Sequence, residues 1–146
     1  MDEKEALDKG LLNYIGEDVD KEYIRKVKYL VIRKDLVKEK TRDLKIIYTP
    51  IYGSGNKPVR RVLHELGFEN AKVVKEEKNP DVIFGTDSDC DRIGVIVKDN
   101  SGDYKVLTGN QTVMLLADYI LKSLKDEVRL SLKGAIIKTN SYYRRS

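Results

Sequence analysis

One cysteine, Cys90, stands in the 146 residues. That excludes a disulfide framework and argues against a cysteine-ligated zinc site, so a reducing cytoplasm is the expected compartment. No apolar run approaches the roughly 20 residues that a membrane helix needs, so no membrane partner is expected. The opening Met1-Asp2-Glu3-Lys4-Glu5 has none of the character of a signal peptide. Acids are missing altogether beyond Glu127, where only Arg129, Lys133, Lys138, Arg144 and Arg145 carry charge. The formal net charge is +4, and those five residues exceed it. The body of the chain is thus near neutral, with acids and bases interspersed through its first third. A nucleic-acid footprint would be a basic stripe on folded surface, and none is implied.

The chain has the makings of one domain, or one domain and part of another. With 40% apolar and 36% charged residues it is too apolar for a disordered chain. Tyr23, Ile24, Val27, Leu30 and Val31 recur at helical spacing, with Asp20 as the expected N-cap. Leu36 and Val37 predict a second short helical turn. Leu44 to Tyr48 is a β-type run that ends in a glycine-rich turn, Gly53-Ser54-Gly55. A helix follows, with Pro58 in its first turn, Val59, Val62, Leu63 and Leu66 on one face, and Gly67 as its left-handed terminator. Further strands are expected at Lys72 to Val74, Val82 to Phe84, Ile93 to Val97, Tyr104 to Leu107 and Ala135 to Ile137. Asp99 to Asp103 reads as a hairpin turn. Thr108 and Gln111 have capping-box spacing before the apolar stripe Val113, Leu116, Ala117, Ile120, Leu121 and Leu124. The whole is an α/β pattern.

The sharpest chemical feature is Asp87-Ser88-Asp89-Cys90-Asp91-Arg92, directly after an apolar strand. Alternate residues of an extended segment point the same way, so a tight loop can aim three carboxylates at one point. Such charges repel unless neutralised, and a divalent cation removes the conflict. All-oxygen ligation favours magnesium, calcium or manganese over zinc. An EF-hand is excluded, because its required glycine and glutamate fall on Arg92 and Lys98. Arg92 has two readings, a phosphate contact beside the ion or a salt bridge to the same aspartates. The amides of Gly53-Ser54-Gly55 offer a weak phosphate cradle, though neither a Walker loop nor a dinucleotide fingerprint is present. His64, the only histidine, falls on the polar side of its helix, and Cys90 reads as a small filler between two candidate ligands.

These residues resemble the α-D-phosphohexomutases, the phosphoglucomutase/phosphomannomutase family. Thr49-Pro50-Ile51-Tyr52-Gly53-Ser54-Gly55 is similar to the family's Thr-Pro-Leu-His-Gly-Thr-Gly. Gly85 to Val95 is similar to its metal loop, commonly Ala-Thr-Asp-Pro-Asp-Cys-Asp-Arg-Val-Gly-Val. Leu107 to Gln111 with Leu115 to Leu121, and Gly134 to Thr139, resemble the opening of its third domain. The resemblance implies a three-layer α/β/α fold with a mixed sheet, as a fragment of a multidomain phosphohexomutase: the second domain over 1–106 and the beginning of the third over 107–146. It implies reversible transfer of phosphate between C1 and C6 of a hexose phosphate, glucose or mannose 1-/6-phosphate, through a phosphoserine and a bisphosphate intermediate. It further implies Mg2+ on Asp87, Asp89 and Asp91, with Arg92 at the substrate phosphate.

Several family features are absent from these residues: the Thr-Ala-Ser-His-Asn-Pro type serine motif, the sugar-reading Gly-Glu-Glu loop and the arginine-rich phosphate loop. The expectation is therefore that no catalytic residue lies in this chain, that it depends on the missing phosphohexomutase domains, and that alone it binds magnesium weakly without turnover. The alternative is a non-catalytic module that binds magnesium or a phosphosugar. Tyr52 stands where the family has histidine. Between Val74 and Val82 the chain is about a helix and a loop short of the family pattern. Glu76 to Asp81 is below the roughly 10–12 residues of a helical crossover, which predicts a rearranged sheet there or a lost segment.

Overall fold

The computed structural model describes residues 1–73, 79–131 and 133–137. Helix α1 (Glu3–Asp8) is capped by the Asp2 side chain. Helix α2 (Glu17–Tyr29) buries Ile24, and α3 (Lys34–Lys40) follows after a short turn. Asp20 is not the N-cap of α2: the helix starts at Gly16, and Glu17, Asp18 and Asp20 all sit in its first turn, where acids suit the helix dipole. Strand β1 (Ile46–Thr49), helix α4 (Asn56–Glu65) and strand β2 (Ala71–Val73) form the first α/β unit. Gly67, just past α4, has φ +92°, the left-handed stop expected of it.

Strands β3 (Val82–Thr86), β4 (Ile93–Lys98) and β5 (Tyr104–Leu107) complete a mixed sheet of order β2-β1-β3-β4-β5. β2 and β3 both run parallel to β1, whereas β4 and β5 add antiparallel. The β4–β5 turn is closed by Asp99, whose Oδ1 accepts from the backbone N–H groups of Ser101 and Asp103. Helix α5 (Gly109–Asp126) opens with the Thr108–Gln111 capping box and lies against β4 and β5. Its Tyr119 hydroxyl accepts from the Arg33 amide, tying α5 to the α2–α3 turn. This is the α/β arrangement with a mixed sheet that the sequence predicts.

The short β2–β3 link joins the two strands that flank β1. Ala71 and Val82 both pair with Ile46, so the chain leaving Val73 re-enters on the far side of β1, two residues back. That is about 10 Å sideways, two strand spacings. Eight residues can span about 26 Å, so the chain between the two strand ends is long enough for this separation. Residues 74–78 of this link, Val74 among them, lie outside the described residues. The strand expected at Ala135 to Ile137 is also corrected: these residues form no strand, and Ile137 is exposed. A strand requires a partner edge, and none among the described residues adjoins this segment. Lys138 to Ser146 lie outside the described residues.

The face of the sheet beneath α4 holds the core. In-register pairing puts Ile46 and Tyr48 beside Val82, Phe84 and Thr86. Ile46 and Tyr48 are buried, and the rings of Tyr48 and Phe84 pack at 4.9 Å. Across α2 and α4, Glu65 joins both helices, accepting from Lys28 at 3.0 Å and from Arg61 at 2.9 Å.

Candidate metal centre

The acidic loop leaves the C-terminal end of β3, the side of an open α/β sheet where ligands bind. Asp87, half-buried, and the exposed Asp89 and Asp91 each offer one carboxylate oxygen, all within 4.8 Å of one another. The three carboxylates singled out in the sequence are thus brought together, by a turn and not by an extended segment. Cys90 turns the loop with φ +63°, its amide donating to the Asp87 carbonyl at 3.1 Å.

The electrostatics show the strain of three close acids. The charge of Asp89 is the largest cause of a raised Asp91 carboxyl, followed by desolvation and by Asp87. Asp87 goes the other way. Its desolvation pushes upward, but the Arg92 amide, a hydrogen bond with Asp91 and the Arg92 guanidinium hold it below the ordinary aspartate value. The Arg92 amide donates to Asp87 Oδ1 at 3.1 Å. Arg92 Nε lies 3.6 Å from Asp87 and 3.5 Å from Asp91, with the side chain 84% exposed. The salt-bridge reading of Arg92 holds here, and its exposure leaves it open to an anion. Hard oxygen donors at this spacing suit magnesium, and the residues present fit that ion.

The glycine turn supports the loop, and two of its three amides are taken up by protein carbonyls. Its Ser54 amide donates to the Ser88 carbonyl at 2.9 Å, and its Gly53 amide to the Pro50 carbonyl at 2.7 Å. A methyl group on Gly53 would lie 2.7 Å from the carbonyl oxygens of both Asp87 and Ser88. One on Gly55 would meet Cys90 Sγ at 2.5 Å, the Tyr48 hydroxyl at 2.8 Å and Thr86 Oγ1 at 3.2 Å. Both glycines permit close approach of the two loops. Cys90 is thus the filler that the sequence suggests, and His64 is exposed on α4.

Sequence reasoning missed the hydrogen bond between the Tyr48 hydroxyl and Thr86 Oγ1, 2.9 Å and buried. Its signal was a polar tip on each of two apolar strands at positions that share a face. It also missed the left-handed pair Ile51 and Tyr52, at φ +44° and +56°.

Residues 21–87 match the family described as phosphoglucomutase/phosphomannomutase, alpha/beta/alpha domain II. This stretch is similar to domain II of the phosphohexomutases. A phosphomannomutase of Mycoplasmoides pirum is 23% identical over 170 residues, more than the 146 of this chain. That alignment covers 96% of this chain and 31% of the relative. A phosphoglucomutase of Staphylococcus saprophyticus is 24% identical, over 83% of this chain and 26% of its own length. The chain therefore spans under a third of these phosphohexomutases. The crystal structure of an Aspergillus fumigatus N-acetylphosphoglucosamine mutase in complex with glucose 1,6-bisphosphate overlaps loosely. Its TM-score is 0.44 at 17% identity, over 64% of this chain and 24% of that one. The family match ends at Asp87, so of the acidic loop only the first aspartate lies inside it. Among the described residues no helix is long and apolar enough to cross a membrane.

Proposed function

We propose that this chain supplies the magnesium-holding loop of a cytoplasmic phosphoglucomutase/phosphomannomutase that moves phosphate between C1 and C6 of a hexose phosphate. The observation that carries the reading is the convergence of Asp87, Asp89 and Asp91 within 4.8 Å. These three would hold Mg2+, which when bound would neutralise charge on the transferring phosphoryl group. Arg92, already at the rim of the cluster, would exchange its aspartate contacts for a substrate phosphate. Residues 1–106 would form domain II, and residues 107–146, beginning with α5, would open domain III.

The donor serine is assigned to another domain of the enzyme, because no Thr-Ala-Ser-His-Asn-Pro type motif occurs in these residues. Three carboxylates also leave the ion short of a full oxygen shell. The isolated chain should then bind magnesium weakly and leave glucose 1-phosphate unchanged in an assay coupled to glucose 6-phosphate oxidation. Sustained turnover would refute the assignment. The lack of the serine motif equally suits a non-catalytic magnesium or phosphosugar module. Adding the remaining phosphohexomutase domains separates the two, since only the enzyme reading predicts restored turnover.

A further inference from the structure

We propose that Tyr48 and Thr86 are positioning residues for the acidic loop, and that their buried hydroxyl pair holds its carboxylates in an ion-binding array. This rests on the reading of the loop as a magnesium site. Tyr48 is 1% exposed and Thr86 7%. Their hydroxyls meet at 2.9 Å on a sheet face where their strand neighbours Ile46, Val82 and Phe84 are apolar. Buried hydroxyls cost free energy unless they are bonded, and a Phe with a Val would fill the same space with nothing to satisfy. Cohesion therefore does not call for this pair, whereas a directional constraint does.

The direction is set where the loop needs it. Thr86 ends β3, and the next residue is Asp87, the first carboxylate. The second hold is Cys90, between the other two carboxylates. Its Sγ, the Tyr48 hydroxyl and Thr86 Oγ1 all crowd the one point where a side chain on Gly55 would begin. Both sides of the loop are thus braced against one post. Gly55 has an ordinary helical φ of −66°, so its lack of a side chain serves space and not backbone conformation. Partners that orient metal ligands without touching the metal typically govern affinity by about ten- to a hundred-fold.

The test is a titration of the 146-residue chain with Mn2+, a paramagnetic stand-in for Mg2+, counting free ion by electron spin resonance. Thermal unfolding without metal runs alongside. Wild type against Asp89→Asn first establishes the site. Tyr48→Phe and Thr86→Val should then each weaken binding about ten-fold or more. Thr86→Ser, which keeps the hydroxyl, should retain most of the affinity. The double variant should be no weaker than either single one, because both break the same bond. Gly55→Ala should weaken binding without removing any donor, and it carries the test if Tyr48→Phe fails to fold. Wild-type affinity in Tyr48→Phe and Thr86→Val, with or without lower melting temperatures, overturns the positioning role and leaves the magnesium reading standing. No difference between wild type and Asp89→Asn overturns both.

Discussion

The Ser54 amide donates to the Ser88 carbonyl at 2.9 Å, and this one bond joins the glycine turn after β1 to the acidic loop after β3. Two segments far apart in the chain become one surface. Their contact depends on the absence of side chains between them.

Gly53→Ala tests that dependence. Gly53 does not need a left-handed φ, so the substitution acts through space alone. The new methyl group would meet the carbonyl oxygens of Asp87, Ser88 and Pro50 at 2.7 to 2.8 Å, and these are backbone atoms with little room to move. Overpacking of this kind costs about 1–3 kcal/mol. Urea unfolding should show a lower midpoint at unchanged slope. An unchanged midpoint would mean that the two loops separate freely in solution.

Asp89→Asn should have opposite effects with and without a divalent cation. Asp89 is the main cause of the raised Asp91 carboxyl, so without metal its charge is a repulsive element. Its removal should raise the melting temperature of the metal-free chain slightly. The same change removes a ligand, so the rise in melting temperature on adding millimolar Mg2+ should shrink or vanish. Scanning calorimetry with and without Mg2+ checks both. A lower metal-free melting temperature would show that Asp89 serves the fold itself.

Much of this arrangement was legible because it is local. Gly67, the Thr108–Gln111 box and the Asp99 turn each declare themselves within four or five residues, and the carboxylate alternation does the same. The Tyr48–Thr86 bond was not legible, since it depends on the register of two strands 38 residues apart. At Ala135 to Ile137, β-propensity was read correctly as a preference, but a preference without a partner edge makes no strand.

The acid limb of stability should depend on Glu65. Its carboxyl is lowered first by Arg61 and then by Lys28, and it joins α4 to α2. With the folded value below the unfolded one, near 4.5, the stabilisation is complete above that pH and is lost as pH falls through the folded value. Glu65→Gln should therefore lower stability near neutrality and flatten its decline on acidification. Melting temperatures of both proteins from pH 7 to pH 3 should converge. Parallel curves would deny Glu65 this role.

Ile51 and Tyr52 present the opposite case, a stretch where the fold overrides local preference. Both have positive φ, and Ile51 is β-branched, the poorest type of residue for that region. Each left-handed residue costs about 1–2 kcal/mol unless it is glycine or, less so, asparagine or aspartate. The surroundings enforce it: Gly53 is closed onto Pro50 by its amide and wedged between the carbonyls of Asp87 and Ser88. Neither side chain repays the cost by packing, as Ile51 is 59% exposed and Tyr52 wholly so. Ile51→Asn combined with Tyr52→Gly places the two best left-handed residues in this turn. The pair should stabilise the chain by about 1–2 kcal/mol in urea unfolding, and Mn2+ affinity should be unchanged because no carboxylate is touched. Greater stability with weaker ion binding would instead show that the strained turn, and Tyr52 at its tip, belongs to the site.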